Sequence, residues 1–386
     1  MPTQNKYDVI VVGAGLIGAA FALQLANNSD YRILVVERAA PVKQAASTNH
    51  RVLALGSIAT QMLKEIGVYE KLQQTSCYPY ARMFVWDEAS KGELEFCADD
   101  YQTDTLGYMV DANFLTYQLQ QTLFEHQQIT TKFEQAIDGM QLASDLATLN
   151  EFSAPLIVAA DGSNSWCRQQ AKIFANRSDY NQKGIVSKIQ PKISHEDTAW
   201  QIFLNSGPLG LLPLTDNQCS IVWSANNDLA TDLLNLSDIE FAEQLASALQ
   251  DRLGEIDILS PRQAFPLISM KAETYYKHRL VLIGDAAHSI HPLAGQGANL
   301  GFKDIVALVE QLVSVDDAAL LGDINVLARY QRSRKGDNEQ TDLMMNALHS
   351  AYQNDSAWWA ATRGAGMNWV SRSKGIKSLL ARQAMG

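Results

Sequence analysis

The residues of this chain best able to do chemistry lie between Gly284 and Gly301, which read Gly-Asp-Ala-Ala-His-Ser-Ile-His-Pro-Leu-Ala-Gly-Gln-Gly-Ala-Asn-Leu-Gly. Asp285, His288 and His291 supply a carboxylate and two imidazoles, types that bind iron or zinc where a fold converges them. No further ligand is evident and the spacing straddles a loop with another use, so no metal site is expected. The loop follows the apolar run Leu280 to Ile283, which reads as a buried strand, and enters a helical pattern over Asn299 to Val313. A helix start presents free N–H groups and a partial positive charge. Gly295, Gly297, Ala298 and Asn299 therefore suit an anionic portion of a large cofactor. Pro292 and Gln296 would wall the pocket, and His291 is the adjacent titratable group. The plain alternative is an ordinary strand–loop–helix joint whose histidines support the loop.

A second candidate site stands at the amino end. Asp8-Val9-Ile10-Val11-Val12 is β-branched, as a buried parallel strand is. Gly13-Ala14-Gly15-Leu16-Ile17-Gly18 follows, then a helical pattern through Leu25, then a strand over Arg32 to Val36 ending at Glu37. Gly13 permits the tight turn, Gly15 lets backbone approach a pyrophosphate, and Gly18 lets helix and strand pack closely. Glu37 can accept hydrogen bonds from an adenosine ribose, and a polar stretch opens at Arg38. The competing reading is a glycine-rich turn without a ligand. Arg51, directly before the apolar run Val52 to Leu55, is either a ligand contact or a surface salt bridge. The strand Leu156 to Ala160 ends in Asp161-Gly162-Ser163, where α/β sheets place ligands and where plain turns also occur. A nicotinamide dehydrogenase completes its nucleotide domain in one block. Here the second loop lies about 270 residues after the first, so one extended ligand must touch both, and FAD is long enough.

These loops need a scaffold that returns to its first sheet late in the chain. At 386 residues with 47% apolar and 19% charged composition, the chain suits a soluble enzyme of one large or two interleaved domains. Residues 1–75, 100–180 and 270–335 are assigned to the nucleotide-binding domain, 76–99 and 181–269 to a smaller, antiparallel substrate domain, and 336–386 to a C-terminal helical region. Strands at Trp200 to Leu204, Leu209 to Leu214 and Cys219 to Ser224 would wall the substrate pocket, and Leu234 to Leu253 reads as one helix. A net charge of −11 argues against nucleic-acid binding. The four scattered cysteines form no CxxC pair. No signal peptide or bilayer-length apolar run is visible, so a cytoplasmic location is expected. From Ser356 to Gly386 there are five cationic and no acidic residues, mixed with three tryptophans. Such a tail suits peripheral contact with the inner face of the cytoplasmic membrane, or packing on the protein's own core or on a second subunit.

With the glycine fingerprint, Asp161-Gly162 and Gly284-Asp285 in that order, the chain resembles the class A flavoprotein monooxygenases, similar to para-hydroxybenzoate hydroxylase. His291 to Asp304 resembles the signature of the ubiquinone-biosynthesis hydroxylases. Trp200-Gln201-Ile202-Phe203, Ser220-Ile221-Val222-Trp223 and Tyr330-Gln331-Arg332-Ser333-Arg334 match as well. Ala298 departs from the larger residue usual there. The resemblance implies an α/β fold: a Rossmann-like FAD-binding domain interleaved with an antiparallel-sheet substrate domain, with a helical C-terminus. Glu37 would hold the adenosine ribose, and Arg51 would reach the flavin region and pyrophosphate. Asp285 would bind the ribityl or pyrophosphate portion. The backbone of Gly297 to Asn299 would face the isoalloxazine, and Asp161 and Gly162 would serve both FAD and NAD(P)H. NAD(P)H would visit transiently and O2 would react through a C4a-hydroperoxyflavin, hydroxylating a polyprenylated phenol or benzoquinol of ubiquinone biosynthesis. A quinone-biosynthesis complex and a homo-oligomer are compatible with this reading. The alternatives are a catabolic hydroxylase of a small soluble phenol and a flavin-binding scaffold of a quinone-pathway complex.

Overall fold

The computed structural model describes residues 5–43, 51–73, 76–290, 296–352 and 356–385. The strands Val9–Val12, Ile33–Val36, Ile129–Lys132, Leu156–Ala159 and Leu280–Leu282 form a parallel sheet, with Tyr276–Lys277 antiparallel at one edge. Val9–Val12 lies centrally between Ile33–Val36 and Leu156–Ala159, and all twelve residues of these strands are buried. Short aliphatic runs of this kind form when helices cover both faces of a sheet. Helices Leu16–Asn27, Ala112–Glu125 and Gln296–Val313 pack in this layer and share its core. The small hairpin sheet of Met140–Leu142, Ala147–Leu149 and Phe152–Ala154 leads into Leu156–Ala159.

A nine-stranded sheet takes its strands from residues 82–97, 175–272 and 288–289. It is antiparallel except where Thr198–Leu204 pairs parallel with Arg82–Asp87. Side chains alternate across a strand, and here the alternation separates two environments. Trp200, Ile202, Ile221 and Trp223 pack with Phe241 and Leu245 beneath helices Asn227–Asn235 and Asp238–Ala248. Gln201, Phe203, Gly210 and Val222 occupy the opposite face. The tryptophans of the family-like segments thus stabilise the sheet from behind. The single helix expected over Leu234 to Leu253 is two helices, because Ser237 caps the second and forms a capping box with Glu240. Cys77–Tyr80, expected within the substrate-domain stretch, pairs instead with Gly107–Asp111 in a three-stranded sheet that also holds Val52–Leu55.

One segment belongs to both large sheets. Leu280–Leu282 is a strand of the parallel sheet, and His288–Ser289, six residues later, pairs with Met270 and Lys271 of the antiparallel sheet. The turn containing Asp285 is therefore the crossing point between the two layers.

The C-terminal helices Ile324–Tyr352, Ala357–Arg372 and Lys374–Met385 close the structure. Arg363 is buried against Asp87, with both carboxylate oxygens 3.4 Å from the guanidinium. It also donates to the Ala351 carbonyl at 2.9 Å and lies over the Tyr352 ring. Lys377 pairs with Asp100 at 2.9 Å, and Ala381 is buried beside Val52 and Tyr80. Two of the five tail cations thus anchor the tail to its own chain. Trp358 (72%) and Trp369 (62%) remain exposed. No helix among the described residues is long and apolar enough to cross a membrane.

Candidate active site

The fingerprint loop separates its glycines by the reason each is needed. Gly13 has φ +103°, and a Cβ there would lie 2.4 Å from the Ala160 carbonyl oxygen. A Cβ on Gly18 would lie 2.0 Å from the Gly13 carbonyl oxygen. Both are fixed by the protein's own packing. Gly15 differs, because a Cβ there meets nothing within 4 Å. It caps helix Leu16–Asn27 with no side-chain hydrogen bond and no acid in the first turn, so the helix start remains available to an anion. Glu37 accepts hydrogen bonds from the backbone N–H groups of Ala14 and Ala39, each at 2.8 Å. Each carboxylate oxygen has a second lone pair for a ribose hydroxyl. Arg38 is exposed beside it.

Gln120 completes the loop and was not singled out by the sequence reading. It is buried, donates to the Ala14 carbonyl at 2.8 Å and accepts from Val42 N–H at 2.7 Å. Its signal in the sequence is a polar residue on the buried face of helix Ala112–Glu125, among Leu115, Leu119 and Leu123.

The Asp161-Gly162 turn stands next to the fingerprint, because Ala160 touches Gly13. Gly162 has φ +80°. Asp161 accepts from Cys167 N–H at 3.0 Å through one oxygen, and its other oxygen is buried without a partner, a costly state unless a ligand donates to it. Arg168, also missed by the sequence reading, donates to Ser163 O at 2.8 Å and to Ala286 O at 2.7 Å. This buried guanidinium links the turn to the Asp285 segment. Burial draws its pKa down, against the opposing pull of Asp161.

The Asp285 turn is organised by Asp304, which is fully buried. One Asp304 oxygen accepts from Gly284 N–H at 3.0 Å and lies 2.6 Å from His288 Nε2; the other accepts from Arg334 Nε at 2.9 Å. Burial alone would raise the Asp304 pKa, but His288 and Arg334 overcome it and hold the carboxyl below its ordinary value. His288 is thus committed to Asp304. Among the described residues no group of three His, Cys, Asp or Glu side chains is placed to hold a metal. Asp285 itself is open to solvent, although protein surrounds it. That surrounding raises its pKa, with Arg51 and then His288 opposing the rise. Arg51 and Asp285, distant in sequence, therefore share one electrostatic site.

Ile17 joins the two ends of the chain. A Cβ on Gly284 would lie 3.2 Å from Ile17 Cγ2, and one on Gly301 would lie 2.6 Å from Ile17 Cδ1. The fingerprint helix and helix Gln296–Val313 are thereby in direct contact near their amino ends. Gly297, like Gly15, has open space where a Cβ would be. Ala298 is buried in the core of the parallel layer. The Asn299 side chain accepts from Gly56 N–H at 3.0 Å and donates to Ala54 O at 2.9 Å, tying the start of the helix to the strand Val52–Leu55. His291, Pro292 and Gly295, and the side chain of Gln296, lie outside the described residues.

The arrangement offers two adjacent helix starts, two glycines with open faces, an orphaned carboxylate oxygen, and an Asp285 carboxyl within the field of Arg51. These fit an extended phosphate-bearing cofactor such as FAD. The fit yields a contrast between glycines. Gly15→Leu should weaken FAD binding at least tenfold while leaving the melting temperature of the apoprotein unchanged. Gly301→Val should lower that temperature by several degrees as well, because it strikes Ile17. Flavin fluorescence titration and thermal melts of both variants check this. Asp304→Asn should cost about 3–5 kcal/mol, since it removes the buried counter-charge of the Arg334 guanidinium and disturbs the His288 hydrogen bond. A depressed folded-state pKa contributes stability that is full above the ordinary value of 3.8 and is lost as pH falls through the lower folded value. Melts between pH 7 and 2 should show a steeper acid limb in wild type than in Asp304→Asn.

Residues 6–341 match the family described as FAD binding domain. The chain is 32% identical over 392 positions to 3-demethoxyubiquinol 3-hydroxylase of Escherichia coli, covering all of both chains. It is 32% identical to ubiquinone hydroxylase UbiL of Rhodospirillum rubrum, over 98% of this chain and 89% of that one. In fold it is similar to the crystal structure of PqsL, a probable FAD-dependent monooxygenase from Pseudomonas aeruginosa, with a TM-score of 0.77 and 20% identity over 94% of this chain and all of that one. The chain belongs to the FAD-binding family of flavoprotein hydroxylases.

Proposed function

We propose that this protein is an FAD-dependent, NAD(P)H-using monooxygenase that hydroxylates the aromatic ring of a polyprenylated phenol or benzoquinol during ubiquinone biosynthesis. The observation that carries the reading is the contact of Ile17 with Gly284 and Gly301, which makes one extended cofactor site from the two ends of the chain. The substrate class is that of the Escherichia coli and Rhodospirillum rubrum relatives, a 3-demethoxyubiquinol 3-hydroxylase and a ubiquinone hydroxylase. When bound, FAD supplies the redox and oxygen chemistry, which amino-acid side chains lack. The chain positions it. Gly15 and the first turn of helix Leu16–Asn27 hold the pyrophosphate, and Glu37 holds the adenosine ribose. Arg51 and Asp285 hold the middle of the cofactor. The start of helix Gln296–Val313 stabilises negative charge on the ring. The antiparallel sheet excludes water from the reacting face.

Peripheral membrane contact belongs to the same reading, because a prenylated substrate resides in lipid. Trp358 and Trp369 are eleven residues apart, three helical turns on one face, and exposed Arg372 continues that face. No acid occurs from Ser356 onward, and the rest of the chain carries −16. Truncation at Ser356 would also remove the Arg363–Asp87 pair, so exposed side chains make the better test. Trp358→Ala/Trp369→Ala should lose most flotation with phosphatidylglycerol vesicles while retaining FAD and its melting temperature. Equal flotation would remove membrane contact through this face.

Quinone profiling by mass spectrometry in cells lacking the protein tests the activity. A prenylated intermediate missing one ring hydroxyl should accumulate, and the gene should restore the pool. Unchanged quinones, with no second hydroxylase active, would contradict the proposal.

A further inference from the structure

On the face of the antiparallel sheet opposite its two helices, the middle of one row is half-exposed and carries a glycine, which leaves a shallow hollow. One row of paired residues crosses the sheet as Val85, Gln201, Gly210, Val222 and Val186. Val85 and Val186 on either side are buried, while Gln201, Gly210 and Val222 are half-exposed in the middle of interior strands. The row continues to Leu94 beyond Val85 and to Gln263 beyond Val186, so Gln201 is the polar side chain of its half-exposed middle.

Gly210 accounts for the opening. Gly184 and Gly207 in the same sheet are enforced by packing: a Cβ would meet the Phe265 ring at 2.9 Å and the Ser224 carbonyl oxygen at 2.2 Å. A Cβ on Gly210 would come no nearer than 4.0 Å to any atom, and its φ lies outside the glycine-favouring region. Glycine inside a strand costs stability and marks bulges or close approach by another group. The pairing of Gly210 is regular with both neighbours, which leaves close approach. Two residues from Gln201 on the same face, Phe203 packs with Ile290 and Leu300, the residues flanking the 291–295 loop. This face of the sheet therefore lies toward the start of helix Gln296–Val313. On the neighbouring strand Ser220 is 1% exposed with an unpartnered hydroxyl, two residues from Val222 on the same face.

We propose that the hollow over Gln201 and Gly210 holds the substrate's ring, with the Gln201 amide bound to a ring oxygen and Gly210 providing room for the ring face. An amide both donates and accepts, so it can hold a phenol oxygen or the ether oxygen of a methoxy group without carrying charge. A neutral group is the right choice for a ring whose remaining surface is apolar. The inference rests on the hydroxylase reading above and assigns its substrate contact.

The test uses the FAD-loaded protein with two probes, a geranylated 2-methoxyphenol and a geranylated benzoquinol, and follows the shift of the bound flavin's absorbance. Wild type should respond to at least one probe. Gln201→Leu should bind it about tenfold more weakly, the loss expected for one buried hydrogen bond, and should form less hydroxylated product per NAD(P)H oxidised. Gly210→Val should block the probe while keeping FAD and matching or exceeding the wild-type melting temperature. Wild-type affinity in both variants would overturn the assignment and leave the hydroxylase reading standing. A fall of several degrees in Gly210→Val would show that this glycine is structural and overturn its part, with Gln201→Leu still deciding the contact. Silence of wild type toward both probes, together with unchanged quinone pools, would overturn the function itself.

Discussion

The structure depends on a carboxylate with no access to water. Asp304 binds Gly284 N–H, His288 and Arg334 at once, and so fixes both ends of the segment that passes from the parallel sheet to the antiparallel one. Four successive elements meet at that group: the Leu280–Leu282 strand end, the His288–Ser289 strand, helix Gln296–Val313 and helix Ile324–Tyr352. A buried ion is tolerated only when its hydrogen bonds are made, so the network admits one geometry. Asp285 is held within it, one residue after Gly284, with its own carboxyl left open to solvent. Tyr330, whose hydroxyl donates to Leu282 O at 3.1 Å, and Gln331, which accepts from Tyr275 N–H at 2.8 Å, extend the same support.

The glycines divide into two groups with different meanings. Gly13, Gly18 and Gly301 are surrounded by protein atoms and let strand, helix and helix approach each other. Gly15, Gly297 and Gly210 are surrounded by space. The first group builds the scaffold. The second is unnecessary to the empty fold and becomes intelligible once cofactor and substrate lie against it.

Much of this was legible in the sequence because local patterns dominate locally. The β-branched runs at 9–12, 33–36 and 156–159 could be buried only in a parallel sheet, and the fingerprint glycines followed at the required turn. What escaped depended on contacts between distant residues. The loop-support role expected for the histidines was legible, but not the partner of His288, which is Asp304, sixteen positions on. Gln120 and Arg168 have no motif around them and act through backbone carbonyls on other elements. The apolar periodicity over 234–253 hid a break that Ser237 enforces by capping. The basic tail was open to membrane contact or to packing on its own core, and Arg363 takes the second course, since a cation beside an aspartate can be buried where a lone one cannot.

The central claim is that one FAD molecule is held jointly by the amino-terminal fingerprint, the Asp161 turn and the crossing segment near Asp285. Hydrogen–deuterium exchange of the apoprotein and the FAD-loaded protein tests it most directly. The account predicts that FAD slows exchange together in peptides covering residues 13–18, 161–168 and 284–301. Protection confined to residues 13–37, with 284–301 exchanging as in the apoprotein, would contradict it.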